Sequence, residues 1–480
     1  MPESANGTRA LIVVFDALRP EFLTPDLMPN LHAFAQGGVR FMNARSTFPS
    51  ETRVNQSAVT TGCYPFRHGV VANNFAVSEG NKRAILSTGD DVAFEAALDR
   101  MSEPLFDVPT LGERLAAAGK SYATVSAGTS GGGRLINISA EKTGSFRFAM
   151  RRPEVSVPTG IETKIAERIG PLPEYERPAI DWITYAVDCY LDFVEPDIHP
   201  DVMLLWLCEP DESFHFLGIG SPEALRTIHH ADAEFGRILA RHEREIAEGA
   251  LQVIAMSDHG QISLRGEPLD LNAKFSAAGF DGANIAVANA GGVWLEDAAP
   301  DRVGDVVNWL REQDWCGPIF TADGTSDTLT LDHVRVAHRR AADVCLALRY
   351  DDADNEWGVK GMSLHDARYP AGGGCHGGLS PYELRNVLVM SGSRFRSACE
   401  STPPASNIDI MPTLLHLLEI VPPDGVDGRV LHEALIDDPE YTTVHVEDRT
   451  FPSSNVQGPV THLSTSWVGN TPYINGAWVE

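Results

Sequence analysis

The sequence is short of basic residues, of paired cysteines and of long apolar runs. Lys and Arg number 38 against 66 Asp and Glu, a formal net charge of −28. A chain that wraps DNA or RNA needs a basic stripe to neutralise phosphates, so a nucleic acid polymer is excluded as partner. The same charge favours solubility and obliges any anionic substrate to find metal or Arg charge locally. The seven cysteines (63, 189, 208, 316, 345, 375 and 399) are odd in number, scattered, and form no CxxC pair. Reduced thiols and a cytoplasmic location are expected from that usage. No apolar run approaches the roughly eighteen residues of a membrane span, so no membrane partner is expected. Near the N-terminus the apolar run 10–15 is brief and ends at Asp16. It reads as a strand and not as a secretory leader. The glycine-rich stretch 128–134, GTSGGGR, lacks the Gly-Lys-Ser/Thr ending of a phosphate loop and reads as a flexible connection. Internal repeats and low-complexity tracts are also missing.

What is present is a globular pattern. The 480 residues are 43% apolar and 22% charged, enough for one large domain with an insertion, or two to three domains. The continuous apolar run at 9–15 reads as a buried parallel strand, 121–127, 202–208 and 251–256 as further strands, and 388–391 as a returning core strand. Amphipathic helices are predicted over 30–38, 179–195 and 222–247, a further helix over 109–118, and a core-packed helix over 407–418. Alternating strands and helices imply an α/β fold, a mostly parallel central sheet sandwiched by helices. Residues 153–178 are proline-rich and expected to be irregular. The texture changes over 261–374, where strand-like pieces (285–288, 292–295, 334–336, 344–348) surround one helix, 301–312. The expected division is a catalytic core from 1–260 and 375–440, an inserted α+β lid subdomain from 261–374, and a strand-rich tail from 441–480 packed on the core.

The chemistry-bearing residues fall at strand ends. Asp16, Asp211 and Asp258 each follow an apolar run by no more than a few residues. In open α/β sheets that carboxyl edge is where sites form. His259 is adjacent to Asp258, His215 follows Asp211 by one helical turn, and His376 stands among glycines. Aspartate with imidazole suits zinc foremost, manganese or iron less strictly. Between the first and second Asp lies the stretch 46–74, with Thr52 in a polar turn before a small-residue helical run. A Thr there serves as an N-cap or, if its proton is removed, as a nucleophile.

The residues Thr52, Asn55, Thr61-Gly62, Pro65, His68-Gly69 and Asn73 resemble the nucleophile segment of the alkaline phosphatase superfamily, in its nucleotide pyrophosphatase/phosphodiesterase branch. Glu-Pro-Asp-x-x-x-His at 209–215 and Ser-Asp-His-Gly at 257–260 are similar to the branch's metal motifs. Thr47, in a Thr-Phe-Pro that copies the family's wording, is out of register with Gly62. The resemblance implies two divalent ions, one held by Asp211, His215 and His376 and the other by Asp16, Asp258 and His259 beside Thr52. It implies Thr52 as nucleophile through a phospho-threonine intermediate. Asn73 and the Thr52 N–H would then hold a phosphoryl oxygen. The expected activity is hydrolysis of phosphodiester or phosphoanhydride bonds.

Arg53 departs from the pattern, since many nucleotide-cleaving relatives carry Phe after the nucleophile. Arg53 either grips a second anionic group on the substrate or pairs with Glu51, and both stay open here. The departure keeps a small phosphoester or phosphonate, hydrolysed as phosphonoacetate is, as the alternative substrate class. Phosphoglycerate mutases of the superfamily use Ser where Thr52 stands. A non-catalytic member is set aside because every ligand position is filled. The substrate partner is then a small phosphoester, pyrophosphate or phosphonate, and homo-oligomerisation stays open.

Overall fold

The computed structural model describes residues 8–480 apart from 80–81, 90, 102, 288–289, 297, 365–367, 423 and 437–442. Its centre is an eight-stranded sheet. In chain order the strands are β1 (Arg9–Phe15), β2 (Val39–Phe41), β3 (Tyr122–Ser126), β4 (Phe146–Ala149), β5 (Val202–Leu207), β6 (Leu251–Met256), β7 (Leu388–Ser391) and β8 (Cys399–Ser401). Across the sheet the order is β8-β2-β7-β6-β1-β5-β3-β4. β1 lies between β5 and β6, parallel to both, and β7 runs antiparallel to β6 and β2.

All seven residues of β1 are buried. Its side chains alternate between two cores, as the period of two requires. Leu11, Val13 and Phe15 enter the core on one face, with Phe235 and Ile238 of the long helix Pro222–Ala247. Ala10, Ile12 and Val14 enter the other, with Met411, Leu414 and Leu415. This double burial is why the strand reads as an unbroken apolar run. It is also what aims the carboxyl end of β1, and so Asp16, at one rim of the sheet.

Three short helices matter for the site. α1 (Thr52–Thr61) is buried from Val54 onward and closes on Gly62. Gly62 sits at φ 68°, and a Cβ there would meet Met411 Cε at 2.8 Å. α2 is Ser130–Leu135 and α3 is Asp211–Leu217. The stretch 128–134, expected as a flexible connection, is therefore mostly helix, capped by Thr129 and buried against α1. Its glycines are there for close packing: a Cβ on Gly131 would lie 1.9 Å from the Thr88 carbonyl oxygen. A second correction concerns 153–178, where Ile161–Ile169 forms an amphipathic helix after Gly160, burying Ile161 and Ile165. A third concerns 334–336, which is turn and not strand.

Beyond the main sheet, Asn284–Val287, Ala290–Trp294, Val344–Leu348, Cys316–Thr321 and Leu329–Thr330 form a five-stranded sheet. Another sheet joins Tyr350–Asp354, Lys360–Ser363, Ile262–Leu264 and Gly374–Cys375. The chain ends in three antiparallel strands, Val446–Pro452, Thr461–Val468 and Thr471–Val479. Residue 288 and the boundary expected at 440–441 lie outside the described residues. Among the described residues no helix is long and apolar enough to cross a membrane.

Candidate active site

Asp16, Asp211, Asp258, His215, His259, His376 and Thr52 meet at the carboxyl rim of β1, β5 and β6. Asp16 directly follows β1. Its Oδ2 accepts a 2.9 Å hydrogen bond from Trp206 Nε1, a residue of β5. Ala17, next in the chain, is held at φ 62°, a conformation that costs a non-glycine residue roughly 1–2 kcal/mol. The Ala17 N–H donates to Asp258 Oδ1 at 3.1 Å. Such strain concentrates at functional sites, and here the turn ties the ends of β1 and β6 together. On α3, Asp211 and His215 are four apart and share a helix face. His215 Nε2 lies 3.3 Å from Asp211 Oδ1.

Each imidazole is oriented in the same way. His215 Nδ1 bonds the Gly374 carbonyl at 2.8 Å, His259 Nδ1 the Gly260 carbonyl at 3.0 Å, and His376 Nδ1 the Ser50 carbonyl at 2.9 Å. A carbonyl only accepts, so each Nδ1 carries hydrogen; in His259 and His376, whose burial keeps the rings neutral, Nε2 presents a lone pair to the site, whereas His215 is raised by Asp211 against the effect of burial. His259 Nε2 stands 3.2 Å from Asp258 Oδ2 and 3.6 Å from Asp16 Oδ1. Both of those oxygens are buried and accept no hydrogen bond among the described residues. Buried carboxylate oxygens without donors, converging on imidazole nitrogens, fit a divalent cation. Two donor sets lie within 4.8 Å internally, Asp16–Asp258–His259 and Asp211–His259–His376. His259 belongs to both, a sharing that motif spacing did not reveal. Its ring stacks on His376 at 3.9 Å.

Burial and mutual repulsion set the charge states of the site in the absence of a cation. Burial, then the charges of Asp258 and Asp211, push Asp16 well above the usual carboxylate range. Burial pushes Asp258 up to about 7 and His259 down to about 3. Burial and the nearby His259 hold His376 well below its ordinary value. Asp211 is opposed by burial yet held at about 2 by His215, His376 and Gln261. Gln261, whose Nε2 donates to Asp211 Oδ1 at 2.5 Å, is a supporting residue the motif reading missed. Its place directly after Ser-Asp-His-Gly was the available signal.

Thr52 opens α1, with its Oγ1 3.0 Å from His259 Nε2. Thr47 is turned into the interior, where its N–H and Oγ1 both bond Asn55 Oδ1 at 2.9 Å. Asn73 is buried beside the start of α1, its Oδ1 accepting the Arg53 N–H at 3.1 Å and its own N–H donating to Glu51. Glu51 is thus engaged by Asn73, and among the described residues no ion pair joins it to Arg53. Arg53 instead reaches Thr88, its Nε donating to Oγ1 at 3.0 Å.

Asp16, Thr52, Arg53, Asn73, Asp211, His215 and His376 line a cleft of about 240 Å³ that also includes Gln56, Thr129, Arg177, Phe216, Arg368 and Tyr369. Tyr369 stacks on His215 at 3.7 Å, and Phe216 sets its ring edge-on to Tyr369. Arg177 lies 3.6 Å over Phe216 and pairs with Glu212. No motif announced Arg368 or Tyr369, which reach the cleft from the region whose reading gave no site.

A carboxylate–imidazole cluster at the carboxyl rim of a mostly parallel sheet, inside an α/β sandwich, defines the alkaline phosphatase-like class of folds. Residues 10–351 match the family model of type I phosphodiesterase / nucleotide pyrophosphatase, and the chain belongs to that family. It is similar to a venom phosphodiesterase of Crotalus durissus collilineatus, 22% identical over 484 residues that cover 96% of this chain and 50% of the relative. Ectonucleotide pyrophosphatase/phosphodiesterase family member 3 of Rattus norvegicus is 24% identical over 263 residues, covering 54% of this chain and 25% of that one. Among solved structures, murine ectonucleotide pyrophosphatase / phosphodiesterase 5, an inactive form in complex with AMP, aligns with a TM-score of 0.58 at 15% identity. That alignment covers 86% of this chain and 96% of the murine one and shows the shared fold. The chain spans about half the length of the venom relatives it matches.

The cytoplasmic expectation is corrected by these comparisons: the relatives are named as venom enzymes and ectoenzymes. The inference from thiols fails for a physical reason. Six of the seven cysteines are buried and Cys399 is half-buried, all unpaired. A buried free cysteine packs as a small hydrophobe and is shielded from oxidants, so it carries little information about compartment.

Proposed function

We propose that this chain is a divalent-metal-dependent phosphodiesterase in which Thr52 is the nucleophile. The observation that carries the reading is the Thr52 Oγ1 at 3.0 Å from His259 Nε2, beside two buried carboxylate oxygens that lack donors. Asp16, Asp258 and His259 would hold one ion, and Asp211 and His376 another, with His259 within reach of both and His215 beside Asp211. Ions bound there, zinc foremost, would supply Lewis-acid charge to the Thr52 hydroxyl and to phosphoryl oxygens.

The chain's own groups do the rest. Thr52 Oγ gives up its proton and bonds to phosphorus as the ester oxygen of the leaving group departs, that proton ending on the leaving group. Water then transfers its hydroxyl to phosphorus as the Thr52 Oγ–phosphorus bond breaks, and the water's other proton returns to Thr52. The Asn73 carboxamide has its oxygen fixed by the Arg53 N–H, which turns Nδ2 into a donor for a phosphoryl oxygen. Because Thr52 begins α1, its N–H belongs to the unsatisfied first turn and adds a second donor. Residues 1–260 and 375–440 form the proposed catalytic core. Residues 261–374 form a lid contributing Arg368 and Tyr369, and 441–480 form a tail packed on the core.

A rate panel on the zinc-loaded protein tests this reading, comparing aryl phosphodiesters, nucleoside pyrophosphates, phosphomonoesters and phosphonoacetate. Diesters or pyrophosphates turned over fastest support it. Preference for phosphonoacetate supports the second reading, which Arg53 in the cleft favours.

A further inference from the structure

Arg53 is held as a binding group would be. Its Nε is committed to Thr88 Oγ1, and that hydroxyl donates in turn to the Asn73 carbonyl at 2.8 Å. Thr88 is fully buried, and the close approach of Gly131 seals the turn behind it. The guanidinium is thereby fixed against Gly89, with an alanine-like Cβ at that glycine falling 3.4 Å from Cζ. Its two Nη atoms make no hydrogen bond or ion pair with any described residue, although the side chain is half-buried. Glu51, whose charge acts on Arg53 without forming an ion pair to it, gives Oε2 to the Asn73 N–H. Arg368 lines the same cleft. Its positive charge acts on both Arg53 and Glu51. Two guanidinium groups lining one cleft, that of Arg53 with both Nη atoms unengaged among the described residues, form half of a bidentate anion clamp. The cleft's volume of about 240 Å³ lies below the roughly 300 Å³ at which sites for drug-sized ligands begin, so the second group must sit close to the first.

We propose that Arg53 and Arg368 form a subsite for a carboxylate carried on the same small molecule whose phosphoryl group faces Thr52. The proposal rests on the phosphoryl-binding reading above and names its substrate class: compact phosphoryl compounds with a second anionic end. Arg53 and Arg368 are specificity-determining residues, and Thr88 is a positioning residue that acts through Arg53. Pre-orientation by Thr88 removes part of the ordering cost that a free Arg would incur on binding.

The test is calorimetric binding to the zinc-loaded protein. The ligands are ω-carboxyalkylphosphonates with one to three methylenes, each set against the plain alkylphosphonate of equal length. A charge-assisted pair corresponds to about tenfold to a hundredfold in affinity. At least one length should therefore bind about tenfold tighter than its uncharged counterpart in the native protein. In Arg53→Gln that advantage should fall to within about twofold. In Thr88→Val, which touches no ligand, the advantage should shrink by severalfold while plain alkylphosphonate affinity moves less than about threefold. Equal binding of both series by the native protein, or an advantage that survives Arg53→Gln, overturns the subsite. Both series failing to bind at all overturns the phosphoryl reading beneath it and the subsite with it. The two failures are distinguishable because the plain series reports the phosphoryl site alone.

Discussion

Replacing Asp258 by Asn should stabilise the metal-free protein while abolishing the benefit of zinc. Asp258 is fully buried, its Oδ2 meets no donor, and burial raises its pKa to about 7. The unfolded chain titrates near 3.9. The folded pKa is the higher one, so the folded state binds the extra proton between about pH 4 and 7, and stability falls as pH rises through that window. Three pKa units at about 1.36 kcal/mol each set a ceiling of about 4 kcal/mol above pH 7. Asn retains an oxygen for the Ala17 N–H and carries no charge, so it removes most of that cost. Unfolding entropy of about 2.1 cal/mol/K per residue gives a 480-residue chain a slope near 1 kcal/mol/K. A gain of about 2–4 kcal/mol thus appears as a rise of about 2–4 °C in Tm at pH 8. Scanning calorimetry with chelator measures it, and the advantage should shrink as pH falls toward 4. With zinc the order should reverse, since the native carboxylate is then a ligand. Metal-free Asp258→Asn melting below the native protein at pH 8, or zinc raising both proteins equally, would refute the reasoning.

The other predictions concern single groups. Thr52→Ala should lose at least about a thousandfold in kcat, at least about 4 kcal/mol of barrier. Its stability should change by no more than about 1.5 kcal/mol, because the hydroxyl makes one hydrogen bond. Thr47→Ala should show the opposite pattern, a loss of about 1 kcal/mol in chemical denaturation with turnover kept, since the Thr47 hydroxyl bonds Asn55 away from the cleft. His376→Ala should hold close to one zinc equivalent where the native protein holds two, as read by elemental analysis after reconstitution; two retained equivalents would exclude His376 as a ligand. Asn73→Ala should cost about a hundredfold to a thousandfold in kcat if Nδ2 serves as an oxyanion donor, and a drop below tenfold on aryl diesters would remove it from that role.

Much of this architecture is legible because buried parallel strands are continuous apolar runs. β1 and β6 begin and end where the hydrophobicity does. The residues that converge on the rim were readable for the same reason: Asp16 and Asp258 close such runs, and Asp211 and His215 have helical spacing. What escaped the sequence is set by tertiary contact. Glycines 131–133 look like a loop, yet they are small so that α2 can press on Thr88 and Gln56. The reversed direction of β7 leaves no mark in a four-residue apolar run. Helix Ile161–Ile169 hides between prolines that bound it without interrupting it. Arg368 and Tyr369 belong to no local pattern, since their role depends on a chain crossing back over α3. The contest over Arg53 could not be decided from neighbours in sequence, because Glu51 is drawn off by an Asn73 that lies 22 positions away.

The central claim, covalent catalysis at Thr52, is tested most directly by trapping the intermediate. Zinc-loaded protein would be mixed with an aryl phosphodiester, quenched in acid during turnover, and analysed by intact-mass and peptide mass spectrometry. The account predicts a substoichiometric adduct with the mass of the transferred phosphoryl ester, mapped to Thr52 and missing from Thr52→Ala. Rapid turnover with the adduct on another residue, or undiminished turnover in Thr52→Ala, would contradict it.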